Sequence, residues 1–156
     1  MYSKILLAID GSPAAQSAAM HGVALAQTCG ASVLALHVAP PQVSSYFADA
    51  APPPAVSREV WEAGLRALAR RHFAPVRSAV RQRGVALATE VAFDNRPAEA
   101  ICRVAAQRSC DLIVMGSPAA DDDAKGDPEW VVVAVLARSP TPVLVHCDAA
   151  SAPRAA

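Results

Sequence analysis

The chain of 156 residues carries 14 Lys plus Arg against 14 Asp plus Glu, with 53% hydrophobic and 4% aromatic residues. A length of that order buries roughly 70% of the unfolded chain's surface within one domain, without staples, and the even charge balance excludes an electrostatic footprint for nucleic acid or a polyanionic membrane surface. No apolar run approaches the ~20 residues of a membrane span, and "ILLAI" before Asp10 is too short for a signal-peptide core, so a cytoplasmic protein is expected.

Taken in chain order, "SKILLAID" from Ser3 to Asp10 is an unbroken apolar run that ends in Asp-Gly, the pattern of a central parallel strand buried on both faces. Ser12 and Pro13 then supply an N-cap and a first helical proline, and an Ala-rich helix runs to Cys29, where Gly30 stops it. "ASVLALHVA" is a second buried strand. From Pro40 to Val56 the prolines and the missing period predict a long, mobile loop. Ser57 caps a long helix whose apolar positions Trp61, Leu65, Leu68, Val76 and Val80 recur at three- and four-residue steps, with a bend expected at Pro75 and an end at Gly84.

"VALATEVAF" is the third strand, Pro97 opens a helix over "PAEAICRVAAQR", and "CDLIVMG" is the fourth strand. A last helix is expected from Pro128 to Arg138, although "WVVVAVLA" is rich in β-branched residues that favour strand. "TPVLVHC" closes a single domain over 1–147, and the tail 148–156 is expected to be disordered. The alternation predicts an α/β fold: an open five-stranded parallel sheet with helices on both faces and right-handed crossovers, Rossmann-like in plan. Ligands of such sheets sit beyond the carboxyl ends of the strands, which selects Asp10, Gly11 and Ser12, the stretch from Val38 to Pro40, and Met115, Gly116 and Ser117.

"ILLAIDGS", "LALHV", "RPAEAI", "DLIVMGS" and "SPTPVLV", in this order and spacing from Tyr2 to about His146, resemble the universal stress protein family. The resemblance implies a five-stranded α/β sheet, a homodimer formed through the last strands and, in one branch, an ATP site. That branch carries a Gly after the fourth strand, then two residues, a second Gly, nine residues, and Gly followed by Ser or Thr. Glycines let backbone N–H groups approach phosphates, and the Gly-Ser pair opens a helix whose N-terminus attracts anions. Gly116 matches the first position, but the second glycine falls on Ala119 and the final pair on Glu129 and Trp130.

Asp127 is placed to cap the last helix and Pro128 to start it, so acidic side chains occupy the anion position themselves. Asp121, Asp122, Asp123, Asp127 and Glu129 against Lys125 leave about four net negative charges. Two like charges about 4 Å apart cost roughly 1 kcal/mol even in a water-like dielectric, against the ~0.3–1 kcal/mol a helix terminus contributes. ATP is therefore disfavoured. The same segment also reads as a solvated loop, or as a loop recruiting a divalent cation, though the liganding pattern of a calcium loop is absent.

In the resembling family the counterpart of Asp10 lies against the nucleoside part of the ligand and the backbone near Val38 recognises the adenine edge. A nucleoside or AMP-like ligand thus stays open, beside the plainer reading that Asp10 only shapes its turn. His37 reads as a hydrogen-bonded neighbour of the sheet, while His21, His72 and His146 share no spacing of a metal site or a nucleophile–base pair. Neither a Gly-x-Ser-x-Gly elbow nor a P-loop occurs, and no catalytic residue is assigned. Cys29, Cys102, Cys110 and Cys147 contain no CxxC and no zinc spacing, and read as small buried thiols. Arg58, Arg66, Arg70, Arg71, Arg77, Arg81 and Arg83 outweigh Glu59 and Glu62 on the second helical segment, a solvated face or a partner surface without aromatics for base stacking. Three functions remain: a stress-response binding module that does not hold ATP in the usual family manner, an ATP- or AMP-binding member with weak hydrolysis or phosphate transfer, or an unrelated nucleotide-using enzyme built on a similar α/β sheet.

Overall fold

A computed structural model describes residues 1–41, 57–117 and 128–147 of the chain. Residues 42–56 of the loop expected from Pro40 to Val56, most of the acidic segment (Ala119, Asp121, Asp122, Asp123, Lys125 and Asp127) and the tail 148–156 lie outside the described residues. The elements are β1 Lys4–Ala8, α1 Pro13–Cys29, β2 Ser32–Ala39, α2 Arg58–His72, α3 Ala74–Arg83, β3 Leu87–Phe93, α4 Pro97–Gln107, β4 Leu112–Ser117, α5 Pro128–Arg138 and β5 Val143–Cys147. The strands form one five-stranded sheet in the order β3-β2-β1-β4-β5, and every neighbouring pair is parallel. The α/β prediction holds.

Because successive strand side chains point to opposite faces, the unbroken apolar runs feed two cores. Ile5 and Leu7 of β1, Val33 and Ala35 of β2, and Leu112 and Val114 of β4 pack with α1 and α3 on one face. Leu6, Leu34, Leu36, Ile113 and Met115 pack with α4 and α5 on the other. Asp111 fixes the entry of β4 against β1, its two carboxylate oxygens accepting the backbone N–H groups of Ser3 at 2.7 Å and Lys4 at 3.1 Å.

The long helix expected after Ser57 is two helices. Phe73 ends α2 with a backbone φ of −78° and ψ of −13°, and Pro75, in the first turn of α3, lacks the N–H that would carry the ladder through. The break changes which residues face inward. Val76 and Val80 are buried as expected, but Trp61 and Leu65 are half-buried, Leu68 is exposed, and Ala69 and Phe73 hold the segment to the core instead. The cysteine expectation also needs correction, since Cys110 is buried, Cys29 and Cys102 are half-buried, and Cys147 is exposed on β5. All four are free thiols.

Candidate functional site

In the strand order 3-2-1-4-5 the chain reverses its direction of travel between β1 and β4, and the helices on either side diverge there. A cleft of about 250 Å³ opens at that point. Its base is Ala8, Ile9 and Asp10 from β1, Leu36 and Val38 from β2, and Met115 and Gly116 from β4. Pro97 and Ile101 of α4 and Val131 and Val132 of α5 wall it, and Ala15 of α1 closes the remaining side. The volume sits just below the ~300–1,000 Å³ usual for small-molecule pockets.

The turn that carries Asp10 is built by its own hydrogen bonds. Asp10 Oδ1 accepts the Ser12 N–H at 2.8 Å, an Asx turn, and Gly11 takes the left-handed φ of 96° that this turn demands. Ser12 Oγ accepts the Ala15 N–H at 3.1 Å as the N-cap of α1. The positive end of α1 is thereby directed at the strand ends beside the cleft. Asp10 is exposed. Among the described residues lining the cleft it alone is charged.

Gly116 has a packing reason of its own. A methyl there would land in the backbone of Ala14 and Ala15, so β4 can end against the first turn of α1 only without a side chain at this position.

Of the positions selected from sequence, the structure brings Asp10, Val38, Met115 and Gly116 into one cleft. Gly11 and Ser12 shape its rim through the turn and cap. Ser117 closes β4 opposite Cys147 of β5. The helix walls, Pro97, Ile101, Val131 and Val132, escaped sequence reasoning because helix residues face a cleft only once the sheet order is known. The pairing rule that strand order supplies was the missing signal.

Two histidine pairs also escaped it. His37, expected as a neighbour of the sheet, is buried and its Nδ1 lies 2.7 Å from the Ile9 carbonyl. Since a carbonyl only accepts, that nitrogen carries the proton. The His72 ring meets His37 edge-on at 5.2 Å between centroids. Burial foremost, then the charge of a protonated His37, holds the His72 imidazole below its ordinary range, with Asp10 opposing both. Across the molecule, His21 of α1 stacks on His146 of β5 at 4.2 Å, and His146 Nε2 lies 3.1 Å from Ser17 Oγ. Among the described residues no group of three His, Cys, Asp or Glu side chains is disposed to hold a metal ion.

Chemically the cleft offers an apolar slot for a flat ring, a carboxylate that accepts hydrogen bonds from hydroxyl or amino groups, and the N-terminus of α1 nearby. No curated protein matches the chain as a relative. Among solved structures, a universal stress protein from Burkholderia pseudomallei is 25% identical with a TM-score of 0.71, over 93% of this chain and 96% of that one. A universal stress protein in complex with cAMP is 17% identical, with a TM-score of 0.65 over 94% and 97% of the two chains. The Archaeoglobus fulgidus universal stress protein in complex with dAMP is 16% identical, with a TM-score of 0.63 over 92% and 97%. The model of the universal stress protein family matches residues 1–146, the span that contains every strand but the last residue of β5, so by sequence and by strand order alike this chain belongs to the universal stress protein family.

Proposed function

We propose that this chain is a stress-response binding module whose cleft takes a nucleoside or a nucleoside monophosphate, without holding a triphosphate in the family's usual manner. The observation that carries the reading is the cleft itself: mostly apolar walls around about 250 Å³, with Asp10 the one charged group among the described lining residues. Asp10 would accept a ribose hydroxyl, and the Val38 backbone would meet the edge of the base. Solved relatives of this fold hold cAMP and dAMP, both mononucleotides. The sequence beyond β4 points the same way, because Ala119, Glu129 and Trp130 stand where the ATP-holding branch carries two glycines and a serine or threonine. Glu129 and Trp130 fall in the first turn of α5, and Trp130 is exposed.

The reading includes no catalysis; among the described lining residues no nucleophile stands beside a base. It also places the protein in the cytoplasm as a homodimer paired through β5. In support of the pairing, β5 is an edge strand; among the described residues no helix is long and apolar enough to cross a membrane.

Calorimetric titration with adenosine, AMP and ATP, each with and without magnesium, tests the function. Adenosine and AMP should bind, and ATP should bind more weakly than AMP by about tenfold or more. ATP binding tighter than AMP, or ATP hydrolysis lost on Asp10→Ala, would instead support the ATP-using reading. A gain in ATP affinity in the triple variant Ala119→Gly, Glu129→Gly, Trp130→Ser is expected, and no gain would undercut the account of why ATP is refused.

A further inference from the structure

The carboxyl ends of β1 and β2 hold polar side chains that do not line the cleft. The ring of His72, from the last turn of α2, lies on the Gly11 turn so closely that a methyl added at Gly11 would overlap it. His37 of β2 faces the ring from one side, and α1 contributes Gln16, whose Nε2 donates to the His72 carbonyl at 2.9 Å. His72 Nδ1 and Gln16 Oε1 are both buried without a hydrogen-bond partner among the described residues. The titratable groups acting on His72 are thus His37 from the sheet and Asp10 from the β1–α1 turn, while its own helix adds Arg70 and Arg71, both exposed.

We propose that His72 is a proton-operated positioning residue for Asp10: on gaining a proton, the imidazolium seated on the Gly11 turn draws the Asp10 carboxylate off the Ser12 amide and out of the cleft. The neutral and charged rings differ for a geometric reason. Gly11 leaves nothing between the ring and the turn, and Asp10 is the adjoining residue whose carboxylate holds that turn closed through Ser12. Burial and His37 keep the ring neutral near pH 7, so the change belongs to mild acidification. Its consequence for a ligand rests on the nucleoside reading; the movement of the turn does not. A ligand held through Asp10 should then bind less tightly in acid by about fivefold, the factor that one unit-charge contact yields in a water-like medium.

The test records backbone amide resonances of the full chain between about pH 7.5 and pH 5, a window that spans the ordinary imidazole range and stays above the ordinary carboxylate range. Adenosine is the ligand probe, because it has no phosphate to titrate in that window. In the wild type the Ser12 amide should move with the His72 midpoint, and adenosine affinity should fall about fivefold toward acid. In His72→Gln both should stay flat. His37→Gln keeps the titrating ring and removes its like-charged neighbour, so the Ser12 transition should shift to higher pH. If His72→Gln does not fold, this second variant decides alone, and an unmoved transition overturns the proposal. So does a Ser12 amide that titrates alike in the wild type and His72→Gln, or that stays still in the wild type. Adenosine that binds at no pH defeats the nucleoside reading, and the amide titration still decides this one.

Discussion

A methyl group added at Gly116 would enter the backbone of Ala14 and Ala15 in the first turn of α1, which cannot yield as a flexible side chain would. Gly116→Ala should therefore cost about 1–3 kcal/mol of stability in urea unfolding, the range for overpacking a close contact. Any ligand affinity lost with it reflects a displaced helix as much as a lost phosphate contact. The motif made Gly116 look like a ligand residue, while its packing role was invisible until α1 was seen to begin against the end of β4. The histidines were illegible for a similar reason: His37 and His72 belong to different elements, β2 and α2, and no spacing rule relates a strand residue to one in the last turn of the helix that follows it. Asp94 gives a second pair of residue-scale consequences. Its Oδ1 accepts the Arg96 N–H at 2.9 Å and its Oδ2 pairs with Arg103 at 2.9 Å, which lowers its carboxyl below the ordinary range. A depressed carboxylate contributes stability above the unfolded value and loses it as pH falls through the folded value. His72 is also depressed, but as a base: the unfolded chain takes its proton first, so folding loses stability as pH falls below the ordinary imidazole value of about 6.5. Thermal melts across pH should decline in two windows, the upper one absent in His72→Gln and the lower one reduced in Asp94→Asn. A single decline unchanged by either variant would contradict both assignments.

The clearest elements in the sequence were those with signals at both ends. Ser12, Pro13 and Gly30 bound α1 as expected, with Gly30 in the left-handed conformation at φ 67°. The last helix runs from Pro128 to Arg138 despite its β-branched run, because the crossover between parallel strands β4 and β5 leaves no place for a strand. The segment after Ser57 was read less well. Periodicity joined α2 and α3 across Phe73, and it could not tell that the packing would pass from Leu65 and Leu68 to Ala69 and Phe73. What results is a helix tied to the core by little apolar surface: Ala69 is its one buried residue, and Val60 and Leu68 are exposed. Arg58 and Arg66 bracket Glu62 at 2.8 and 3.2 Å, but exposed pairs of this kind contribute only about 0.3–0.5 kcal/mol. Local opening of α2 should therefore require less free energy than opening of α1, which buries seven residues along its length. Hydrogen exchange under native conditions should show α2 amides exchanging before those of α1 and α4. Equal protection across the three helices would show that α2 is held by contacts beyond those of its buried face.

At the scale of the whole molecule, the parallel order 3-2-1-4-5 leaves two edges, β3 and β5, and they differ in what surrounds them. β3 buries no residue fully, Ala88 and Thr89 are exposed, and Glu90 is paired to Arg108 at 2.8 Å, the kind of charge that blunts an edge. β5 has no such guard among the described residues: its Leu144 is 38% exposed, and the adjacent α5 leaves Trp130, Val133 and Leu136 at 68%, 53% and 53%. These three recur at i, i+3 and i+6 and form one outer stripe, while Val132 and Val135 face the core. A helix apolar on both sides is ordinarily buried on both, and an unguarded strand edge beside it offers unpaired backbone groups to a second copy of itself. On this ground the proposed homodimer should involve α5 as well as β5, and the stripe rather than the strand backbone is what a side-chain change can test. Val133→Asp with Leu136→Asp should convert a dimer to a monomer by light scattering, with unchanged circular dichroism because both positions are solvent-facing in the single chain. A wild type that scatters as a monomer at high concentration would remove the dimer. A dimer that survives both substitutions would confine its contact to the strand edge.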